Sequence, residues 1–159
     1  MGGSVEGNRL LQFRVRDYMT PEPKTLEITH TLLDAVLMLR RGNLRHIPVL
    51  EGGRLVGVLT DRDVARFAPS LLLPLEPQEY NRVFENTTLD KVMTRNPVST
   101  IPDAPLADAI DLLYRNRLGC LPVLKNGQLV GIITTADMLR ALYDLVGSPP
   151  SEPDAGQPA

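Results

Sequence analysis

Two short stretches of this 159-residue chain hold residue types that could grip a ligand. They are Gly57-Val58-Leu59-Thr60-Asp61-Arg62-Asp63 and Gly131-Ile132-Ile133-Thr134-Thr135-Ala136-Asp137. In each, an apolar run that reads as a strand ends at a threonine, and a carboxylate follows three residues later. Thr-x-x-Asp at the start of a helix makes a capping box, in which the hydroxyl accepts from the backbone N–H three residues on and the acid reaches back. The same geometry suits a ligand. A helix N-terminus offers N–H groups and partial positive charge to a phosphate. The hydroxyl can donate to a phosphate oxygen, and the aspartate can accept from both hydroxyls of a ribose. Both uses fit one protein, because a capping carboxylate keeps lone pairs free.

The charges around the two motifs differ. The first has Arg62 inside it, and Arg45-His46 just before Ile47-Pro48-Val49; the second has Ala136, and Gly119-Cys120 before Leu121-Pro122-Val123. Arginine favours phosphate through fork-like charged hydrogen bonds, so the first motif is expected to prefer a phosphorylated ligand and the second to be more neutral. The alternative for Arg62 is a solvated helix residue. The chain has only two histidines, His30 and His46, with no carboxylate at ligand spacing, so no metal site is expected. Cys120 reads as a small buried apolar residue, and no histidine lies near it in the second half to make it a nucleophile. Met19, Met38, Met93 and Met138 fall at core positions.

The elements that position these motifs occur twice. A constant shift of 74 residues superposes Met19-Thr20-x-x-Pro23 on Met93-Thr94-x-x-Pro97, and 19 of the 48 positions from 19 to 66 are identical to their partners. Such a repeat sets how the core is built. Each copy reads as β-α-β-β-α, predicting a mixed α/β (α+β) fold of two repeats packed about a pseudo-two-fold axis. In the second copy, Val98–Ile101 is expected as a short strand, and Asp103 as the N-cap of a helix with Pro105 in its first turn. Asn116, matching Gly42, is expected to end that helix in the left-handed conformation. Asn126-Gly127 signals a hairpin turn, as does Glu51-Gly52-Gly53-Arg54 in the first copy. The first copy's opening helix is expected from about Thr29, with Leu32, Leu33, Val36 and Leu39 inward.

The expected organisation is a flexible start over 1–11, repeat one over 12–68, a connector over 69–86, repeat two over 87–147 and a disordered tail over 148–159. Pro69, Pro74 and Pro77 punctuate the connector, and Pro77–Glu85 reads as a short helix. The tail's four prolines with Ser, Glu, Asp and Gly carry no core-forming pattern. Net charge is −2, with +2 over residues 1–74 and −4 over 75–159, which does not suit a nucleic-acid binder. No run approaches a membrane span, no secretory signal is read at the start, and Glu6 argues against myristoylation at Gly2. The single cysteine excludes an intrachain disulfide framework. A cytoplasmic protein is the expectation.

The order Met-Thr…Pro, hydrophobic-Pro-Val, turn-Gly, then Leu-Val-Gly-hydrophobic-hydrophobic-Thr-x-x-Asp, present twice over about residues 12–147, resembles a pair of CBS domains, the module named after cystathionine β-synthase. Arg45-His46-Ile47-Pro48-Val49 and the long connector are similar to the stand-alone bacterial pairs of the acetoin-utilisation type. The resemblance implies two clefts for adenosine-type ligands: AMP, ADP, ATP or S-adenosylmethionine. In it, Asp63 and Asp137 would bind ribose hydroxyls, and Thr60 and Thr134 phosphate or ribose oxygens. Ile47-Pro48-Val49 and Leu121-Pro122-Val123 would flank the adenine, with His46 and Cys120 on the cleft walls. Lys24-Thr25 and Val98-Ser99 would offer backbone groups to the base edge. The resemblance further implies a homodimer built as a flat disc, no required cofactor, and a regulatory rather than catalytic role, read out by a separate effector protein. The rival expectation is a dimerising scaffold whose clefts are degenerate and bind nothing.

Overall fold

The computed structural model describes residues 12–68 and 75–147. A single turn, α1 (Val15–Tyr18), leads into β1 (Thr20–Pro21) and β2 (Leu26–Glu27). Helix α2 (Leu32–Gly42), the hairpin β3 (His46–Glu51) and β4 (Arg54–Thr60), and α3 (Asp61–Phe67) complete the first repeat. The connector helix α4 (Pro77–Asn86) follows, then a 3₁₀ turn (Leu89–Lys91) and β5 (Thr94–Arg95). The second repeat holds α5 (Leu106–Asn116), β6 (Cys120–Lys125), β7 (Gln128–Thr134) and α6 (Thr135–Val146). The expected β-α-β-β-α order is present in the first copy, and in the second its opening strand is reduced to a bridge. The expected flexible start and tail, Pro69 and Pro74 lie outside the described residues.

Local signals explain most boundaries. Asn126 and Gly127, with φ of 51° and 76°, give the second hairpin the doubly positive turn that Asn-Gly favours; Gly52 and Gly53 (56° and 81°) do so in the first. Helix α4 starts at Pro77, where a missing N–H costs nothing.

Other boundaries differ from expectation. Helix α2 is capped by Thr31, whose hydroxyl accepts from Asp34 N–H, rather than starting near Thr29. Its buried residues are Leu32, Ala35 and Leu39, while Leu33 and Val36 are only partly covered. Pro105, not Asp103, occupies the N-cap of α5: the helix begins at Leu106, whose N–H donates to the Phe13 carbonyl, and the Asp103 carboxylate pairs with Arg16 instead. The left-handed residues ending α2 and α5 are Asn43 and Arg117, one position beyond Gly42 and Asn116. Val98–Ile101 reduces to one parallel bridge, Thr100 with Val123.

The sheets are not made from consecutive sequence. One has the order β2-β3-β4-β5 and the other β1-β7-β6. The short strand leading repeat one, β1, therefore pairs with β7 of repeat two (Thr20 with Ile132), and β5 pairs with β4 of repeat one (Thr94 with Val58). The cores follow the same exchange. Val15 and Tyr18 sit among Leu106, Leu113, Leu121, Val123 and Ile133, whereas Leu89 and Met93 sit among Leu26, Leu39, Ile47, Val49 and Leu59. Each fully buried aliphatic side chain contributes roughly 1.5–3 kcal/mol, so neither repeat has a complete core without the other's leader.

Backbone groups exchange symmetrically too. Leu106 N–H donates to Phe13 carbonyl and Leu32 N–H to Thr87 carbonyl, so each opening helix is satisfied by the other repeat's leader. Tyr18 is further tied to α6: its hydroxyl meets Asp144, its carbonyl accepts from Arg140, and that guanidinium lies 5.5 Å over its ring.

This close approach explains two repeated glycines. A Cβ on Gly57 would strike the Met93 sulfur and lie 2.9 Å from Thr94 carbonyl oxygen; on Gly131 it would lie 2.7 Å from Met19 sulfur and 3.1 Å from Thr20 carbonyl oxygen. The thioether can swing aside, but the carbonyl belongs to the paired strand. Gly57→Ala should therefore cost ~1–3 kcal/mol in urea unfolding, and Gly131→Ala less. Equal stability of Gly57→Ala and wild type would show that the exchanged strand is not held this closely.

Candidate functional site

Strand alternation sorts the residues around the motifs onto two faces. Ile47, Val49 and Leu59 face the first core, and Leu121, Val123 and Ile133 the second. The residues between them face the seam where the sheets meet: His46 opposite Thr60 and Pro48 opposite Val58 in one sheet, Cys120 opposite Thr134 and Pro122 opposite Ile132 in the other. Val58, Cys120 and Ile132 form the small apolar cluster joining the sheets.

Each Thr-x-x-Asp motif stands at the end of this seam as a reciprocal cap. Thr60 N–H and hydroxyl both donate to Asp63 Oδ2, each at 2.9 Å, and Asp63 N–H returns a bond to Thr60 Oγ1 at 3.1 Å. Thr134 and Asp137 repeat the arrangement at 2.8, 3.1 and 3.4 Å. The threonine hydroxyl has one proton, and in this arrangement it is directed at the aspartate of its own cap. What remains is the second carboxylate oxygen. Asp63 Oδ1 accepts no hydrogen bond from any described residue, whereas Asp137 Oδ1 lies 3.6 Å from Arg140 Nη2.

The helix N-termini also differ. At α3, Asp61 N–H donates to Arg45 carbonyl and Arg62 N–H to the Asp61 carboxylate, so the first turn's donors are taken. At α6, Thr135 N–H donates to Gly119 carbonyl, and Ala136 N–H has no partner among the described residues. The first site thus offers cations through side chains: Arg45 and Arg62 are exposed, and neither guanidinium pairs with a described residue. Asp61, in Thr135's place, is a counter-charge beside them.

His46 and Cys120 occupy equivalent places at the seam. The His46 ring lies where a Cβ on Gly119 would be, 2.6 Å from Nε2, so the glycine makes room for the imidazole. Burial pushes the His46 pKa below its ordinary 6.5 and outweighs the opposing pull of Asp61 and Asp63. Burial pushes the Cys120 thiol up to about 12, helped by the nearby Asp63 charge, so it stays protonated at neutral pH.

The remaining expected residues divide. Leu26 pairs in parallel with Val49, so Lys24 and Thr25 run toward the His46 end of the first sheet. Thr100 pairs with Val123, which places Val98 and Ser99 at the matching end of the second. Ile47, Val49, Leu121 and Val123 are fully buried in the cores, so their side chains do not line the seam as the flanking role requires. Pro48 and Pro122 do turn to it, though both are buried. Two surface grooves lie elsewhere. Lys24 is the one expected residue in either, beside Leu26, His30, Asp34, Leu37, Met38, Arg41 and Gly42; the other runs along Phe13, Tyr18, Arg140 and Asp144.

Two CBS-domain matches cover residues 15–70 and 89–144. The chain therefore belongs to the CBS domain family, as a tandem pair. It is similar to a solved structure of a protein assigned to acetoin utilization (AcuB) from Vibrio cholerae, at 32% identity and a TM-score of 0.70, covering 86% of this chain and 94% of that one. CBSX2 from Arabidopsis thaliana, solved with AMP, shares 24% identity at a TM-score of 0.73, covering 85% and 99% of the two chains. The CBS domain pair of protein MJ0100, solved with 5′-methylthioadenosine and S-adenosyl-L-methionine, shares 24% at 0.68, covering 83% and 97%. At that identity the last two establish the fold alone. No helix among the described residues is long and apolar enough to cross a membrane.

The His46 environment has a consequence for pH. A base whose folded pKa is depressed adds stability that is complete above its unfolded pKa and is lost as pH falls through the folded value. The stability of the wild type should fall as pH drops below about 6.5. His46→Gln should flatten part of that fall; an identical profile would mean that His46 is as solvated folded as unfolded.

Proposed function

We propose that the chain is a regulatory module that binds an adenine nucleotide or a related adenosyl compound at the seam and passes occupancy on as altered packing between repeats or subunits. One observation carries this reading: two Thr-x-x-Asp caps border one inter-repeat seam, and Asp63 Oδ1 accepts no hydrogen bond from a described residue. In this reading the threonine acts on the aspartate, fixing it so that Asp63 and Asp137 accept from ribose hydroxyls. Backbone groups at Lys24-Thr25 and Val98-Ser99 meet the base edge. Pro48 and Pro122, with His46 and Cys120, form the walls, and Ile47, Val49, Leu121 and Val123 support them from the cores. Arg62 and Arg45 would take the phosphate at the first site. The AMP, methylthioadenosine and S-adenosylmethionine bound by the two related pairs support this ligand class.

Because each site touches residues of both repeats, a ligand there acts on the contact between them. An equilibrium shift of this kind needs different affinities for two packings, not a chemical step. An unidentified effector protein would read the change. The ligand-free scaffold stays as a second reading, favoured by the His46 ring filling the space over Gly119 and by threonine hydroxyls already consumed in capping.

Thermal unfolding against AMP, ADP, ATP and S-adenosylmethionine separates the two. A ligand present at about 100 times its Kd should stabilise by ~2.7 kcal/mol. Asp63→Asn, which keeps an oxygen for the cap but loses the charge, should abolish that gain for a phosphorylated ligand, and Asp137→Asn should reduce it less. No stabilisation by any of the four favours the scaffold. A larger loss with Asp137→Asn reverses the ranking of the sites.

A further inference from the structure

One guanidinium joins the second Thr-x-x-Asp cap to the leader of the other repeat. Arg140 Nη2 donates to the Tyr18 carbonyl at 2.7 Å and lies 3.6 Å from Asp137 Oδ1. Its Cζ stands 5.5 Å from the centre of the Tyr18 ring. Asp137 and Arg140 are one turn apart on α6, whereas Tyr18 belongs to α1, ahead of the first repeat. The bond to the carbonyl is short and charge-assisted, and the ion pair is long, so the leader holds the arginine while the aspartate pulls on it. The guanidinium borders an open groove of about 670 Å³ along Phe13, Tyr18 and Asp144, which leaves it room to shift between the two.

The docking of α1 has its own signature. Val15 N–H donates to Ala104 carbonyl and Arg16 N–H to Pro102 carbonyl, each at 3.0 Å, and Phe13 carbonyl accepts from Leu106 N–H at the start of α5. Whatever tightens α1 therefore also steadies the beginning of α5.

The first repeat has the arginine without the clasp. Arg66, 74 residues before Arg140, pairs with no described residue, and Asp63 Oδ1 accepts from none. Val92 stands in Tyr18's place, with no ring to offer a cation.

We infer that Arg140 is a positioning residue that couples the Asp137 site to the docking of α1, and that the second site alone has this route. The guanidinium is shared between Asp137 Oδ1 and the Tyr18 carbonyl. A hydroxyl that donates to Oδ1 satisfies that oxygen and weakens its pull, so the arginine settles onto Tyr18 and α1 is held more tightly. The effect is reciprocal, because a firmly docked α1 leaves Asp137 freer to accept. That the hydroxyl is a ribose's rests on the adenosyl-ligand reading; the sharing of the guanidinium does not.

Native-state amide exchange at Val15 and Arg16 reads the docking of α1, and the Leu124 amide, bonded to the Thr100 carbonyl, serves as the reference for wider opening. Asp137→Asn keeps an oxygen for the cap and removes the charge that draws Arg140. Without ligand it should slow exchange at Val15 and Arg16 by about two- to fivefold relative to Leu124, the scale of a partly exposed ion pair. In Arg140→Leu both amides should exchange faster, and adding Asp137→Asn should change them no further. Asp63→Asn should leave the Leu89 amide, which bonds to the His30 carbonyl, as it was. Adenosine bound to Asp63→Asn, where the second site is the intact one, should reproduce the slowing at Val15 and Arg16. Unchanged or faster exchange there in Asp137→Asn, the same slowing in the Arg140→Leu background, or bound adenosine with no slowing would overturn the coupling. Failure of adenosine to bind counts against the ligand reading, and the Asp137→Asn result then decides the clasp by itself.

Discussion

The structure depends on how closely the leading strands press onto the other repeat. At Gly57 and Gly131 there is no room for a side chain, because Met93-Thr94 and Met19-Thr20 lie directly against them. That contact joins β5 to β4 and β1 to β7, and it carries Leu89 and Val15 into cores that are not their own. The two repeats are therefore one interleaved body. With the leaders exchanged, the two hairpins are held with their seam faces together, and both Thr-x-x-Asp caps border the seam. A ligand at either cap would press on this shared contact, which gives occupancy a physical route to the packing of the whole pair.

Much of this was legible in the residues. The 74-residue shift, the Asn-Gly and Gly-Gly turns and the apolar spacing located the helices and hairpins, because each depends on local chemistry. The exchange of leaders was not legible. β1 and β5 are two residues each, too short for a periodic signal, and pairing with a distant strand leaves no local mark. The trace it did leave was indirect: Gly57 and Gly131 repeat in mid-strand, where glycine signals a close backbone approach. The helix starts missed for a related reason. Asp103 is a good N-cap by type, but the helix begins at Leu106, where the carbonyl of Phe13 from the exchanged leader accepts the first N–H. Leu33 and Val36 follow the helical spacing, yet the face toward the sheet runs through Ala35 instead.

The site was legible as a motif and not as a geometry. Thr60, Asp63, Thr134 and Asp137 do cap their helices, and Pro48 and Pro122 do face the seam. Alternation turns Ile47, Val49, Leu121 and Val123 the other way, which a tripeptide read as one unit conceals. The Arg140–Asp137 contact leaves no mark in the residues, because Arg66 and Arg140 are identical in the two copies and only the second lies near its aspartate. Asp61 changes the charge of the first site. It lies inside the motif beside Arg62, and its carboxylate both occupies the Arg62 N–H and offsets the charge.

Two sites of one design thus differ in how they could meet a phosphate. The first has exposed cations, Arg45 and Arg62, over a closed helix N-terminus; the second holds Gly119 and Ala136 at those positions, and its Ala136 N–H has no partner among the described residues. If side-chain charge decides the ligand, the first site should discriminate AMP from adenosine through Arg62. Calorimetric titration of wild type and Arg62→Ala with both ligands tests this most directly. The expected result is that wild type binds AMP about tenfold or more tightly than adenosine, a difference of ~1.4 kcal/mol, and that Arg62→Ala removes this preference with adenosine binding unchanged. A preference for AMP that survives Arg62→Ala, or its absence in the wild type, would contradict the account.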